Sequence, residues 1–174
     1  MTFAAVVETM FLAIAQLWFA GLSLAVVVSD VGWRRIPNRV VLPAILGLPV
    51  LFTAPLVSAL LQLAASEVEP RLQKLLHGIE GALVLFAAYL VLACLGGVGG
   101  GDVKLAAVLG LVLGYFGGWG AVTVATVLAW SAAGTWIPLS RLVRRRAHGG
   151  SRGPPNLPFA PFLIGGAWVA LLAY

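Results

Sequence analysis

The chain alternates long apolar runs with short charged breaks. Thr9–Ser29 carries no charged residue over 21 positions, Val40–Ser66 none over 27, and Gly81–Gly101 none over 21. Leu105–Ser140 continues for 36 and Gly153–Tyr174 for 22. One membrane crossing takes about 20 residues at a rise of about 1.5 Å each. The longest run would make a helix of about 54 Å, too long for a hydrocarbon core of about 30 Å. It contains Gly114-Tyr115-Phe116-Gly117-Gly118-Trp119-Gly120, turn-forming glycines beside interfacial aromatics. The pattern therefore predicts two helices there, Asp102–Phe116 and Trp119–Leu139. That makes six transmembrane helices, the fourth unusually short. The unbroken runs differ from the alternation of an outer-membrane barrel.

Composition narrows the class. Apolar residues make up 61% of the 174 and charged residues 10%, against about 45–50% and about 25% in ordinary soluble domains. The mean hydropathy is +1.02. A water-soluble globule of this size cannot hide so much apolar surface, and disorder needs the opposite composition. The expectation is an all-α polytopic membrane protein forming a single domain over 1–174. Segment 67–80 mixes charges with Leu72, Leu75 and Leu76 and reads as a short amphipathic surface helix or a connector. Segment 147–156, rich in glycine and proline, reads as a flexible loop.

Charge orients the spans. With six crossings, loops one, three and five share a side. They hold Arg34, Arg35, Arg39, Lys104, Arg141, Arg144, Arg145, Arg146 and Arg152, nine of the 11 basic residues. Arg71 and Lys74 lie on the other side, beside Glu67 and Glu69. The positive-inside rule puts the richer side in the cytoplasm and both termini outside. Met1–Ala4 has no basic segment, so the first span reads as a retained helix and not a cleaved signal. The net charge of +5 is thus mainly a topology signal. Arg144-Arg145-Arg146 reads as an anchor on anionic lipid headgroups, at about 1 kcal/mol per basic side chain, and not as a nucleic-acid contact. Cys94 stands alone, and His77 and His148 fall on opposite sides. No disulfide, metal site or cofactor is expected.

Candidate chemistry comes from acids. Glu8, Glu67, Glu69 and Glu80 sit at or beyond the outer span ends and read as solvated or interfacial charge. Asp30 leaves span one and Asp102 enters span four, on the same cytoplasmic face, and no other acid lies there. Asp102 follows Gly96-Gly97-Val98-Gly99-Gly100-Gly101, a stretch able to bend sharply. It could simply N-cap span four. Asp30 could simply be neutralised by Arg34 or Arg35. Pro37 disfavours helix at Ile36, and Asn38 can cap span two, so Asp30 precedes a defined turn. Two carboxyls facing one another suit acid/base hydrolysis. One stays ionised to take a proton from water, and the other donates to a scissile carbonyl. Their titration belongs to the pair.

Three segments carry a family resemblance. Gly99-Gly100-Gly101-Asp102-Val103-Lys104-Leu105 matches the GxGD motif of intramembrane aspartyl proteases, in the GxGDxKL form of prepilin peptidases. Asp30 with Ile36-Pro37-Asn38 matches the D-x5-[IL]-P-[ND] segment of that family. Leu157-Pro158-Phe159-Ala160-Pro161-Phe162-Leu163 is similar to its PFGPFL segment, with Ala160 for the usual glycine. The resemblance runs from the first span to the last. It implies an inner-membrane endopeptidase that removes the basic leader of prepilin or pseudopilin precursors at the cytoplasmic face. Asp30 and Asp102 would be the catalytic pair. Gly99, Gly101, Lys104, Pro37, Asn38, Pro158, Phe159 and Pro161 would shape the loops or the substrate path. Exposed backbone near the Pro158–Pro161 segment could pair with the substrate as an added strand. Long family members carry a methyltransferase domain with a CxxC zinc pair. This sequence has only Cys94 and resembles the short forms, so N-methylation is not expected. The implied partners are the precursor and the lipid bilayer, without nucleic acid. The sequence carries no signature of oligomeric state.

Two other readings stand beside it. One is a non-catalytic multi-span scaffold or transport component, with Asp30 and Asp102 only capping helices. The other is a GxGD protease acting on a different class of membrane helix.

Overall fold

The structure is a computed structural model that describes residues 3–33, 36–62, 65–147 and 159–174. All regular structure in those residues is helical: α1 (Phe3–Trp33), α2 (Asn38–Leu61), α3 (Ala65–Cys94), α4 (Gly100–Ala147) and α5 (Ala160–Ala173). Among the described residues, four stretches are long and apolar enough to cross a membrane: Ala5–Trp33, Asn38–Leu61, Ser66–Cys94 and Gly100–Trp136. The all-α expectation is met.

α4 is two arms. Gly118 has φ 61° and ψ −157°, a non-helical conformation that joins residues 100–117 to 119–147. A positive φ is open to glycine at little cost. The arms run antiparallel, because Gly81 of α3 faces Gly110 on one and Val122 on the other. The division falls between the two helices expected from the long apolar run. At about 1.5 Å per residue the first arm is about 27 Å long.

Close helix packing in lipid depends on small residues, since there is little hydrophobic drive between apolar helices. Gly78 and Gly81 of α3 meet Gly110 and Gly114 of the first arm of α4. A side-chain carbon at Gly110 would collide with the Gly81 carbonyl, and one at Gly114 with the His77 carbonyl. Gly166 of α5 does the same against the second arm, 2.5 Å from the Ala125 carbonyl. The first arm is therefore enclosed. Leu105, Ala106, Val108, Leu109, Val112 and Leu113 are almost fully buried, while Leu17, Leu24 and Leu46 face outward.

Segment 67–80 is neither a separate surface helix nor a connector. It forms the first half of α3. Glu67 occupies the first turn, where a carboxylate suits the helix dipole. Leu75, Gly78, Leu85 and Tyr89 are buried on one continuous helical stripe. The charges are accommodated by partners. Arg71 lies 2.9 Å from Glu8 and 3.4 Å from Glu67. It also donates to the Pro55 carbonyl at 2.7 Å. Trp119 donates its indole N–H to Glu80 at 3.3 Å. Glu8 and Glu80 are thus tied into helix packing, not left as free interfacial charge. The flexible loop expected at 147–156 lies almost wholly outside the described residues, with Ala147 closing α4.

Candidate active site

Opposite the Glu8–Arg71 end, α1 ends, α2 and α4 begin, α3 ends and α5 begins. Asp30 lies in the last turn of α1 and is 7% exposed. That is an unfavourable place for a carboxylate with respect to the α1 dipole. The N-terminus of α5 offsets it: the Ala160 N–H donates to Asp30 Oδ2 at 3.1 Å. Arg34 and Arg35, the expected neutralising partners, lie outside the described residues.

Asp102 reaches the same end by a different device. α3 closes in a Schellman motif, with Gly97 N–H bonding to the Leu92 carbonyl at 2.8 Å and Gly96 N–H to the Ala93 carbonyl at 3.0 Å. Gly96 supplies the φ of 78° that this cap requires. Gly99 then caps α4: the Asp102 N–H bonds to its carbonyl at 3.0 Å. The Asp102 carboxylate reaches back to the Gly99 N–H at 3.2 Å. Asp102 is therefore not the N-cap itself. It holds the third helical position of a capping box whose N-cap is glycine. The glycine stretch is organised by these bonds.

Five expected loop residues find definite places. Gly101 lets α4 approach the turn after α1, since a Cβ there would lie 2.9 Å from the Ile36 Cβ. Lys104 Nζ donates to Asn38 Oδ1 at 2.8 Å, joining α4 to α2. Asn38 is consequently the first residue of α2, not its cap. The capping position is Pro37, in an extended conformation and without a side-chain cap bond. Gly99 serves through its backbone, as a Cβ there meets only Asp102 Oδ2 at 3.5 Å.

In the third segment, Pro158 lies outside the described residues. Phe159 caps α5 and Pro161 sits in its first turn. The Phe162 N–H bonds to the Phe159 carbonyl at 3.1 Å. The backbone from Phe159 onward is thus helical, and no added strand can pair with it. Ala160 suits its place, since a helical position does not need glycine.

Aromatic residues that sequence reasoning missed complete the arrangement. Tyr89 of α3 is 2% exposed, and its hydroxyl accepts the Trp130 indole N–H at 3.0 Å. The Phe159 ring lies 6.3 Å from Tyr89 and 5.2 Å from Trp130. The only sequence signal was an isolated tyrosine within an apolar run.

Asp30 and Asp102, 72 positions apart in sequence, come to one end of the bundle, in the last turn of α1 and the first turn of α4. Among the described residues no group of three or more His, Cys, Asp or Glu side chains is placed to hold a metal. Such a pair has the components of acid/base chemistry: a carboxylate able to accept a proton and a neighbour able to return one.

Comparison with known proteins agrees with the motifs. Residues 17–139 match the family model described as the type IV leader peptidase family. That stretch includes Asp30 and Asp102 and stops short of α5. A prepilin leader peptidase/N-methyltransferase of Bacillus subtilis (strain 168) is 33% identical over 156 residues, covering 88% of this chain and 53% of that protein. The chain thus spans about half the length of that relative. No solved structure matches it.

Proposed function

Since the chain belongs to the type IV leader peptidase family, we propose that it is an aspartic endopeptidase that cleaves the leader from prepilin-like precursors. Asp30 and Asp102 are its catalytic pair. The observation that carries this reading is the convergence of the two acids at one end of the bundle, each addressed by the N-terminus of a helix.

The two carboxyls share one proton, because two adjacent negative charges are costly away from water. The ionised member draws a proton from a water molecule, whose oxygen attacks the scissile carbonyl. The protonated member donates to the carbonyl oxygen. On collapse, the carboxyl that took the proton from water passes it to the amide nitrogen, the other carboxylate takes back one hydroxyl proton, and the C–N bond breaks to leave an amine and a carboxylic acid. Loop geometry holds the acids in place: Gly101 on Ile36, and Lys104 on Asn38. The protein lies in the inner membrane with six crossings, the arms of α4 counting as two. The acids and most basic residues face the cytoplasm, and both termini lie outside. A precursor then presents its basic leader to the headgroup region and its apolar helix to the bilayer. Methylation of the new N-terminus is not assigned to this chain.

One observation favours the scaffold reading. The bond between Asp102 and Gly99 is complete as a helix cap without any catalysis. The two readings separate in a cleavage assay with the full chain in detergent or nanodiscs. Asp30→Asn and Asp102→Asn are each expected to lower cleavage of a prepilin-like precursor by at least about 10³-fold while still inserting and folding, a loss typical of removing an acid/base group. Cleavage at the wild-type rate by either variant refutes the pair. Equal cleavage of an ordinary secretory precursor refutes the substrate class.

A further inference from the structure

The Phe159–Ala160 peptide is held from both sides. Its carbonyl faces into α5, accepting the Phe162 N–H at 3.1 Å and the Leu163 N–H at 3.3 Å. Its N–H points the other way and donates to Asp30 Oδ2 at 3.1 Å. A peptide unit is rigid and planar, so fixing one side aims the other. The bond is sheltered, with Ala160 fully buried and Asp30 nearly so. The Phe159 ring anchors this peptide: its centroid lies 5.2 Å from that of Trp130 and 6.3 Å from that of Tyr89. The Trp130 indole N–H donates to the Tyr89 hydroxyl at 3.0 Å, so the two walls of the aromatic seat are tied to each other. A second contact fixes the register of α5 on α1. The Trp168 indole N–H donates to Ser23 Oγ at 3.2 Å, and the Trp168 ring lies 5.3 Å from that of Phe19. Ser23 precedes Asp30 by about two helical turns, and Trp168 follows Ala160 by about as many.

We propose that Phe159 is a positioning residue for Asp30: its ring, seated between Tyr89 and Trp130, sets the peptide whose N–H holds the carboxylate. This inference rests on the peptidase reading. It adds that α5, which lies beyond residues 17–139 of the family match, belongs to the proposed catalytic machinery. It also links α3 and the second arm of α4 to Asp30, although neither carries one of the two aspartates. Phe159 acts through Asp30 and not by touching the precursor, so the effect is on turnover. A catalytic group displaced by about 1 Å can cost about 10²-fold.

The test is steady-state kinetics of the full chain in nanodiscs with a prepilin-like precursor. Lactic acid, the hydroxy-acid analogue of alanine, placed at position 160 replaces the N–H by an oxygen and keeps the methyl group. This ester is expected to lower kcat by about 10–100-fold, the effect of losing one hydrogen bond to a charged group, with KM within about twofold. The same exchange at Ala167 deletes an N–H inside α5, about 10 Å further along the helix, and should leave kcat within about twofold. Phe159→Leu keeps an apolar side chain but empties part of the seat. It should lower kcat about 10-fold with KM within about twofold. In the position 160 ester it should add less than about twofold, because it acts through the bond already lost. A merely structural phenylalanine would instead lower thermal stability and leave kcat per folded molecule unchanged. The proposal is wrong if the position 160 ester or Phe159→Leu turns over within about twofold of the wild type, if the Ala167 ester loses as much as the position 160 ester, or if the losses at 159 and 160 multiply. Should Phe159→Leu not fold, Trp130→Leu opens the seat from the other side and takes its place in the same cycle, judged by the same outcomes. If the wild type cleaves no precursor, the peptidase reading itself has failed. Full turnover of the position 160 ester beside an inert Asp30→Asn removes only the role of Phe159.

Discussion

Lys104 shows what a single residue at the proposed site does and how far it can be read in advance. A lysine two residues after an acid can balance its charge or position the loop. In the fold its ammonium bonds to Asn38 Oδ1, tying the first turn of α4 to the first turn of α2. The pair is exposed, so its net contribution is small, about 1 kcal/mol. Lys104→Met is therefore expected to slow cleavage about fivefold. Asn38→Ala should do the same, and the double variant should be no slower than either single, because both remove one bond. Additive losses would mean that Lys104 acts elsewhere. Asp30 and Asp102 were legible in the sequence because charge is rare in a span and therefore conspicuous. Their partners were not. A backbone N–H such as that of Ala160 is present at every non-proline position, and only the fold singles it out.

Among the elements, the divided α4 and the α3–α4 contact separate what periodicity can and cannot reveal. Length exposed the division, since no single helix of 36 uncharged residues fits one bilayer crossing. The joint residue, Gly118, was one of four glycines in that short stretch, and only its dihedrals single it out. Segment 67–80 was misread for a physical reason. Its charges resemble a water-exposed connector, yet Arg71, Glu8 and Glu67 satisfy one another across helices, a pairing that no local pattern encodes. The glycine contact makes a sharp prediction. At Gly110 a Cβ meets Gly81 backbone atoms and lies 2.8 Å from the Ala82 nitrogen. Backbone cannot rotate away as a side chain does. Gly110→Val should cost at least about 1–3 kcal/mol, as overpacking does, seen as a lower midpoint of thermal unfolding in detergent. Gly165 has nothing within 4 Å of the same construction. Gly165→Ala should therefore be neutral or stabilising by up to about 1 kcal/mol, from helix propensity alone. Equal effects at both positions would contradict the packing.

For the whole molecule, the Arg71 ion-pair cluster and the proposed chemistry lie at opposite ends. Arg71 joins three helices at one end: Glu8 of α1, the Pro55 carbonyl of α2, and Glu67 of its own helix. Its side chain is 21% exposed and that of Glu8 24%, so the pair is screened less than a surface ion pair. Tyr89 stands 18 positions further along α3, about 27 Å away at helical rise. Removing Arg71 leaves the Glu8 carboxylate half-desolvated and the Pro55 carbonyl without that donor. Arg71→Met is expected to cost about 1–2 kcal/mol. In a chain of this size that corresponds to a fall of about 2–8 °C in unfolding midpoint. Glu8→Gln keeps an acceptor for Arg71 and should cost less. Well below the midpoint, kcat and KM of Arg71→Met should stay within about twofold of the wild type, because no contact of Arg71 reaches the acid end. A variant that keeps its midpoint but loses turnover would show that the two ends are coupled, and that helix placement near Glu8 governs how Asp30 and Asp102 meet.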